Sequence, residues 1–119
     1  MTLFLYGTSL PGQPDHRWVV GRSLTPATVR GSLWRGPRNR PGLLVEDGRP
    51  IHGALVDVED AQVAVMDLVE TAGGGELVRQ PVRASVNLRL AHAFAWVLVG
   101  KPPKGWRKLA TDSWAGLGR

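Results

Sequence analysis

The chain has 119 residues, 43% hydrophobic and 21% charged, with a formal net charge of +5 and no cysteine. That length suits one domain with one core. Without cysteine there is no disulfide framework, thiol nucleophile or cysteine metal site, and no apolar run reaches the roughly eighteen residues of a membrane-spanning helix.

The first stretch, Thr2–Gly12, organises the rest. Leu3-Phe4-Leu5-Tyr6 is a short apolar run that breaks at once into Gly7-Thr8-Ser9, with a further turn at Pro11-Gly12. This predicts a buried strand followed by a loop. Amides in such a loop lack ladder partners and can bind an anion or oxyanion. Gly7 to Gly12 has the spacing of a phosphate loop, but Gln13-Pro14 stand where Lys and Ser/Thr are needed. Gly7-Thr8-Ser9 opens like a nucleophile elbow, but position 11 is Pro rather than Gly. An ordinary strand and turn is the competing reading.

Pro14 and Asp15 suit the first turn of a short helix, with Trp18 and Val19 toward the core and Gly21 closing it. Ala27–Trp34 alternates loosely and reads as a strand, and Gly31 within it marks a bulge or close backbone approach. Arg35–Pro41 is a polar loop. Gly42–Glu46 is a short strand, Asp47-Gly48 a hairpin signal, and Ile51–Val58 the expected partner strand.

Asp57, Glu59 and Asp60 place acid at the start of a helix, where the macrodipole favours it. That helix is expected to run to about Glu70, with Ala61, Val65, Leu68 and Val69 on its apolar face and Asp67 and Glu70 on another. Gly73-Gly74-Gly75 ends it. Two strand-like stretches follow, Leu77–Leu88 and Leu90–Gly100. The second is nearly apolar throughout and so central, while Pro81 predicts a bulge or an edge in the first. From Lys101 onward the chain reads as a surface tail. The sum is an α+β domain spanning 1–119, with about six strands and two or three helices.

In chain order these segments resemble the γ-glutamylcyclotransferase-like, or AIG2-like, family. Leu5-Tyr6-Gly7-Thr8, with Gly12 and His16 after it, is similar to that family's N-terminal segment. Ala27–Leu33, Pro41-Gly42, Ile51–Leu55, Met66-Asp67-Leu68-Val69-Glu70, Leu77-Val78-Arg79 and Ala95-Trp96-Val97 match its later motifs in order, up to Gly105-Trp106. The resemblance implies a small mixed β-barrel with flanking helices. It also implies a cofactor-independent enzyme that releases 5-oxoproline from a small γ-glutamyl amine or amide.

In that chemistry the substrate's own α-amine attacks its γ-carbonyl. Attack within one molecule carries a large effective-molarity advantage. The protein need supply only a base, an acid and oxyanion donors. Glu70 matches the family's catalytic carboxylate, and Tyr6, Gly7, Thr8, Ser9 and Leu10 match its substrate-binding loop. The sequence departs from the pattern at Ser9, Leu10-Pro11, Leu77 (where the family has Tyr) and Leu98, and in the Gly73–Gly75 insert. These changes bear on substrate specificity first and turnover second.

Two other readings stand beside the enzyme: a non-catalytic binding module on the same fold, motivated by Leu77, and a nucleic-acid-binding domain, motivated by the charge and by Lys101, Lys104, Arg107 and Lys108. Against the last, aromatic residues are not interleaved as a stacking platform and no helix carries a basic stripe. His16, His52 and His92 lack metal-ligand spacing. The five tryptophans read as core and rim. With no leader-like N-terminal segment, the expectation is a cytoplasmic protein.

Overall fold

The computed structural model describes residues 1–71 and 76–114. Its elements are β1 (Thr2–Leu5), β2 (Thr25–Gly36), β3 (Arg40–Val45), β4 (Arg49–Asp57), α1 (Asp60–Thr71), β5 (Leu77–Val86), β6 (Arg89–Leu98) and β7 (Arg107–Lys108), with short 3-10 turns at His16–Trp18 and Pro37–Asn39. The strand order is β1-β4-β2-β3-β6-β5, and an added β1–β6 pairing closes five of these strands into a barrel. The β1–β6 and β3–β6 pairings are parallel and the others antiparallel. The α+β mixed barrel predicted from the sequence is therefore present. Its helical content is lower than expected: among the described residues there is one α-helix, and the Pro14–Gly21 segment forms only a 3-10 turn.

The apolar run of β6 is central, bonded to β5 and to both β1 and β3. It buries Ala93, Ala95, Trp96, Val97 and Leu98. Tyr6, just past β1, ties the barrel across its interior. Its hydroxyl donates to the Trp96 carbonyl at 2.6 Å and accepts from the Leu43 amide at 3.0 Å.

Asp47-Gly48 does not make a hairpin between β3 and β4. Each of those strands pairs with β2, β4 through residues 25–31 and β3 through 31–36. Gly31 belongs to both registers, and there the backbone closes in. A Cβ on Gly31 would stand 2.2 Å from the Leu44 carbonyl oxygen, and one on Gly48 would stand 2.6 Å from that of Gly31. The predicted close approach at Gly31 is present, and a side chain there would collide with the β3 backbone.

β5 and β6 form a regular two-residue hairpin. Asn87 and Leu88 both have positive φ, 49° and 68°, as a twist-matched turn requires. The register is unbroken at Pro81, so there is no bulge. Proline is accommodated because β5 ends the strand order and its outer edge meets β2 only at Ser85.

Two further expectations change. The buried face of α1 is Val63 and Met66, not Val65 and Leu68; Leu68 is 72% exposed. The segment after Lys101 is not wholly a surface tail. Its ring-bearing residues Trp106 and Trp114 are buried, and β7 pairs with β2. Trp106 occupies the space left by two glycines, since a Cβ on Gly36 or Gly42 would come within 2.6 Å or 2.5 Å of its ring. The predicted stop at Gly73–Gly75 lies outside the described residues.

Candidate active site

The site lies where the loop after β1 meets the C-terminal turn of α1. Phe4, Leu5, Tyr6, Gly7, Thr8, Ser9, Pro41, Trp96 and Glu70 line an inner pocket. Thr8, Pro41 and Glu70 also line an outer cleft with Pro14, Asp15, Arg38, Asn39, Arg40, Val69 and Leu77. Glu70 therefore stands at the junction of the two.

The loop is held as a series of turns. The Leu10 amide donates to the Gly7 carbonyl at 3.1 Å and the Asp15 amide to the Thr8 carbonyl at 2.8 Å. The His16 ring meets the Ser9 carbonyl at 3.0 Å through Nδ1. These bonds use carbonyls of residues 7–9. Among the described residues no acceptor takes the amide hydrogens of Gly7, Thr8 or Ser9, so these amides are available to a ligand oxygen. Gly7 is required here by space: a Cβ would lie 2.4 Å from Cγ of Pro41.

Of the residues expected from sequence, Glu70, Tyr6, Gly7, Thr8 and Ser9 come together. Leu10 does not. Its side chain turns away into the core with Leu3, Val19 and Trp96, because a buried leucine gains more from apolar packing than from lining a polar turn. Tyr6 forms part of the pocket wall, but its hydroxyl is committed to Trp96 and Leu43. Burial, and then the charge of Glu70, hold that phenol well above its ordinary range, so it stays neutral.

Glu70 is the perturbed carboxyl. Its pKa is raised to about 7, first by burial and then by the neighbouring charge of Asp15, with Arg40 opposing. A carboxyl poised near neutrality can both take and return a proton.

Arg40 and Asp15 were not singled out as site residues from the sequence. Arg40 fastens the end of α1: Nη2 donates to the Glu70 carbonyl at 2.7 Å, and Nη1 pairs with Glu76 Oε1 at 2.9 Å. Its guanidinium also lies 6.0 Å from the Trp106 ring centroid. In sequence it is one arginine in a polar loop, and nothing local marks it.

Trp96 is held as a pocket wall by Asp67, whose Oδ1 accepts its indole N–H at 2.8 Å; Asp67 Oδ2 lies 3.3 Å from Arg79 Nη2. Among the described residues, no group of three or more His, Asp or Glu side chains is arranged to hold a metal ion.

The pattern of the family described as Gamma-glutamyl cyclotransferase, AIG2-like matches residues 3–116. No curated protein matches the chain. Among solved structures, c4763 from uropathogenic Escherichia coli superposes with a TM-score of 0.77 at 16% identity, covering 99% of this chain and 97% of its own. An AIG2-like protein from Mus musculus gives a TM-score of 0.73 at 19% identity, covering 87% of this chain and 80% of its own. YkqA from Bacillus subtilis gives 0.74 at 18% identity and is covered over 95% of this chain; the chain spans 39% of YkqA's length. At these identities the structures share the fold. The family pattern spans nearly the whole chain, and the protein belongs to the gamma-glutamyl cyclotransferase, AIG2-like family.

Proposed function

We propose that this protein cleaves a small γ-glutamyl amine or amide by intramolecular cyclisation, releasing 5-oxoproline and the free amine. The observation that carries this reading is the position of Glu70, a carboxyl titrating near neutrality, on the same pocket as the unpaired amides of Gly7, Thr8 and Ser9. Family membership supports it.

In this mechanism ionised Glu70 takes a proton from the substrate's α-ammonium. The freed nitrogen attacks the γ-carbonyl carbon, and the loop amides bind the resulting oxyanion. Collapse breaks the bond to the leaving nitrogen, Glu70 returns its proton to that nitrogen, and the ring nitrogen sheds its second proton to the released amine or to water, leaving the neutral lactam. Ring closure within one bound molecule removes the need for a protein nucleophile. Trp96, Tyr6 and Phe4 supply apolar walls of the inner pocket beside Glu70.

The test is incubation with a panel of γ-glutamyl amines and detection of 5-oxoproline by mass spectrometry. Absence of product from every member, with folded protein, sinks the reading. A binding module without turnover is the second reading, favoured by one observation: the cleft beside Glu70 presents buried apolar Leu77 where the family has a hydroxyl. Ligand-induced thermal stabilisation without product, unchanged in Glu70→Gln, supports it instead.

A further inference from the structure

The outer cleft holds a second carboxylate, that of Asp15. Its backbone is fixed on both sides, the amide bonded to the Thr8 carbonyl at 2.8 Å and the carbonyl accepting from the Trp18 amide at 3.2 Å. Its side chain is half-buried and lines the cleft. Among the described residues neither the arginines beside the cleft and loop nor the His16 ring pair with its carboxylate: Arg40 pairs with Glu76, Arg22 with Glu59, and His16 Nδ1 meets the Ser9 carbonyl.

Among the other charged groups around Glu70, Arg40 opposes Asp15 without cancelling it. Arg40, from β3, is already committed to Glu76 and to the Glu70 backbone carbonyl. Arg38 lines the cleft, but its side chain is exposed and its charge is screened by water. Tyr6, beyond β1, is neutral. Asp67, one turn earlier on α1, is paired with Arg79 and Trp96.

An unpartnered carboxylate therefore shares a half-buried cleft with Glu70, where like charges oppose each other's ionisation. We propose that Asp15 is a positioning residue for the reaction, acting through Glu70: its negative charge favours the protonated form of Glu70 and so draws the ammonium proton of the ligand onto that carboxyl. The N–H bond of the ammonium breaks, the O–H bond of Glu70 forms, and the nitrogen keeps the electron pair with which it attacks.

The same charge disfavours an anionic ligand group beside Glu70 and holds a cationic one there. The inference rests on the proposed cyclisation for its catalytic consequence. The electrostatic coupling itself does not.

The experiment pairs two readouts on wild type, Asp15→Asn and Asp15→Glu. The first is the titration midpoint of the Glu70 carboxyl by carbon NMR, assigned by its loss in Glu70→Gln. The second is the pH profile of 5-oxoproline release. Asp15→Asn is expected to move the Glu70 midpoint and the acid limb of kcat/KM to lower pH together. It should also lower kcat about threefold to tenfold above that limb, because the weakened base accepts the proton less readily. Asp15→Glu, which keeps a carboxylate, is expected to restore most of both.

If Asp15→Asn leaves the midpoint and the acid limb where wild type has them, the proposal is overturned. It is also overturned if Asp15→Asn and Asp15→Glu lose activity equally with no movement of the midpoint, since that marks a merely structural role. A wild type that binds but yields no product, with a midpoint that still moves in Asp15→Asn, sinks the cyclisation reading and supports the coupling between the two carboxyls.

Discussion

Glu70 stands two helical turns after Val63, on the one face of α1 that packs into the barrel; Val63 and Met66 are each 1% exposed. The helix that fills the core thus carries the carboxyl to the pocket on the same face. Glu70→Gln is nearly isosteric and should preserve fold and ligand binding while removing the carboxyl proposed to take the ammonium proton. Acid–base contributions run to about 10²–10⁴-fold, and the proposed mechanism gives both steps to one residue, so the expected loss in kcat is at or above the upper end. Because the base must be ionised, wild-type kcat/KM should rise with pH through about 7. A steady-state pH profile checks both; substantial residual turnover in Glu70→Gln removes the assignment.

The same shift predicts how stability varies with pH. The folded pKa of about 7 lies above the ordinary value of 4.5. The folded state therefore binds the proton more tightly than the unfolded chain, and folding is favoured while Glu70 is protonated. This contribution is fully present below about pH 4.5 and is lost as pH rises through about 7. Relative to Glu70→Gln, wild type should lose about 1–3 kcal/mol between pH 5 and pH 8. Denaturant midpoints of the two proteins at both pH values measure it. A parallel pH dependence in wild type and variant contradicts the buried placement.

Gly7 and Pro41 leave no room for a methyl group between them. Gly7→Ala should displace either the loop or the start of β3, costing about 1–3 kcal/mol as overpacking does, and moving the loop amides away from the pocket. The expected signature is a lower melting temperature together with a fall in kcat larger than any change in KM. Pro41→Ala in the Gly7→Ala background should recover part of the stability, because it removes the clashing ring atoms. No recovery would show that the strain lies elsewhere.

Asp67 is one turn from Glu70 but holds Trp96 and Arg79 rather than the reaction centre. Asp67→Asn keeps an acceptor for the Trp96 indole and should change the rate little. Asp67→Ala leaves that indole N–H unpaired and Arg79 without its partner. It should destabilise by about 1–3 kcal/mol, with activity following folded fraction. Chemical denaturation alongside the activity assay separates the two. A loss in Asp67→Asn matching that of Glu70→Gln would mean that the wrong carboxylate has been given the acid–base role.

Local pattern determined much of this protein. The apolar run from Leu3, the unbroken hydrophobicity of β6, the acidic start of α1 and the glycine within β2 are properties of short windows. A strand buried on both faces, a helix start or a close backbone approach leaves its mark there. The ordered set of family motifs pointed to the barrel and to Glu70 and the loop from Tyr6.

Periodicity assigned α1 the wrong face because exposed valine and leucine look the same in sequence as buried ones. Only packing against the barrel selected Val63 and Met66. The Asp47-Gly48 turn was visible, but its flanking strands both found β2, since ladder partners are chosen by the closure of the whole barrel. Arg40 and Asp15, far from Glu70 in the chain, acquire their roles through space: one ties down the end of α1, and the other sets its charge against a carboxyl. Charge–charge coupling and desolvation depend on distance and burial, and the fold alone supplies both.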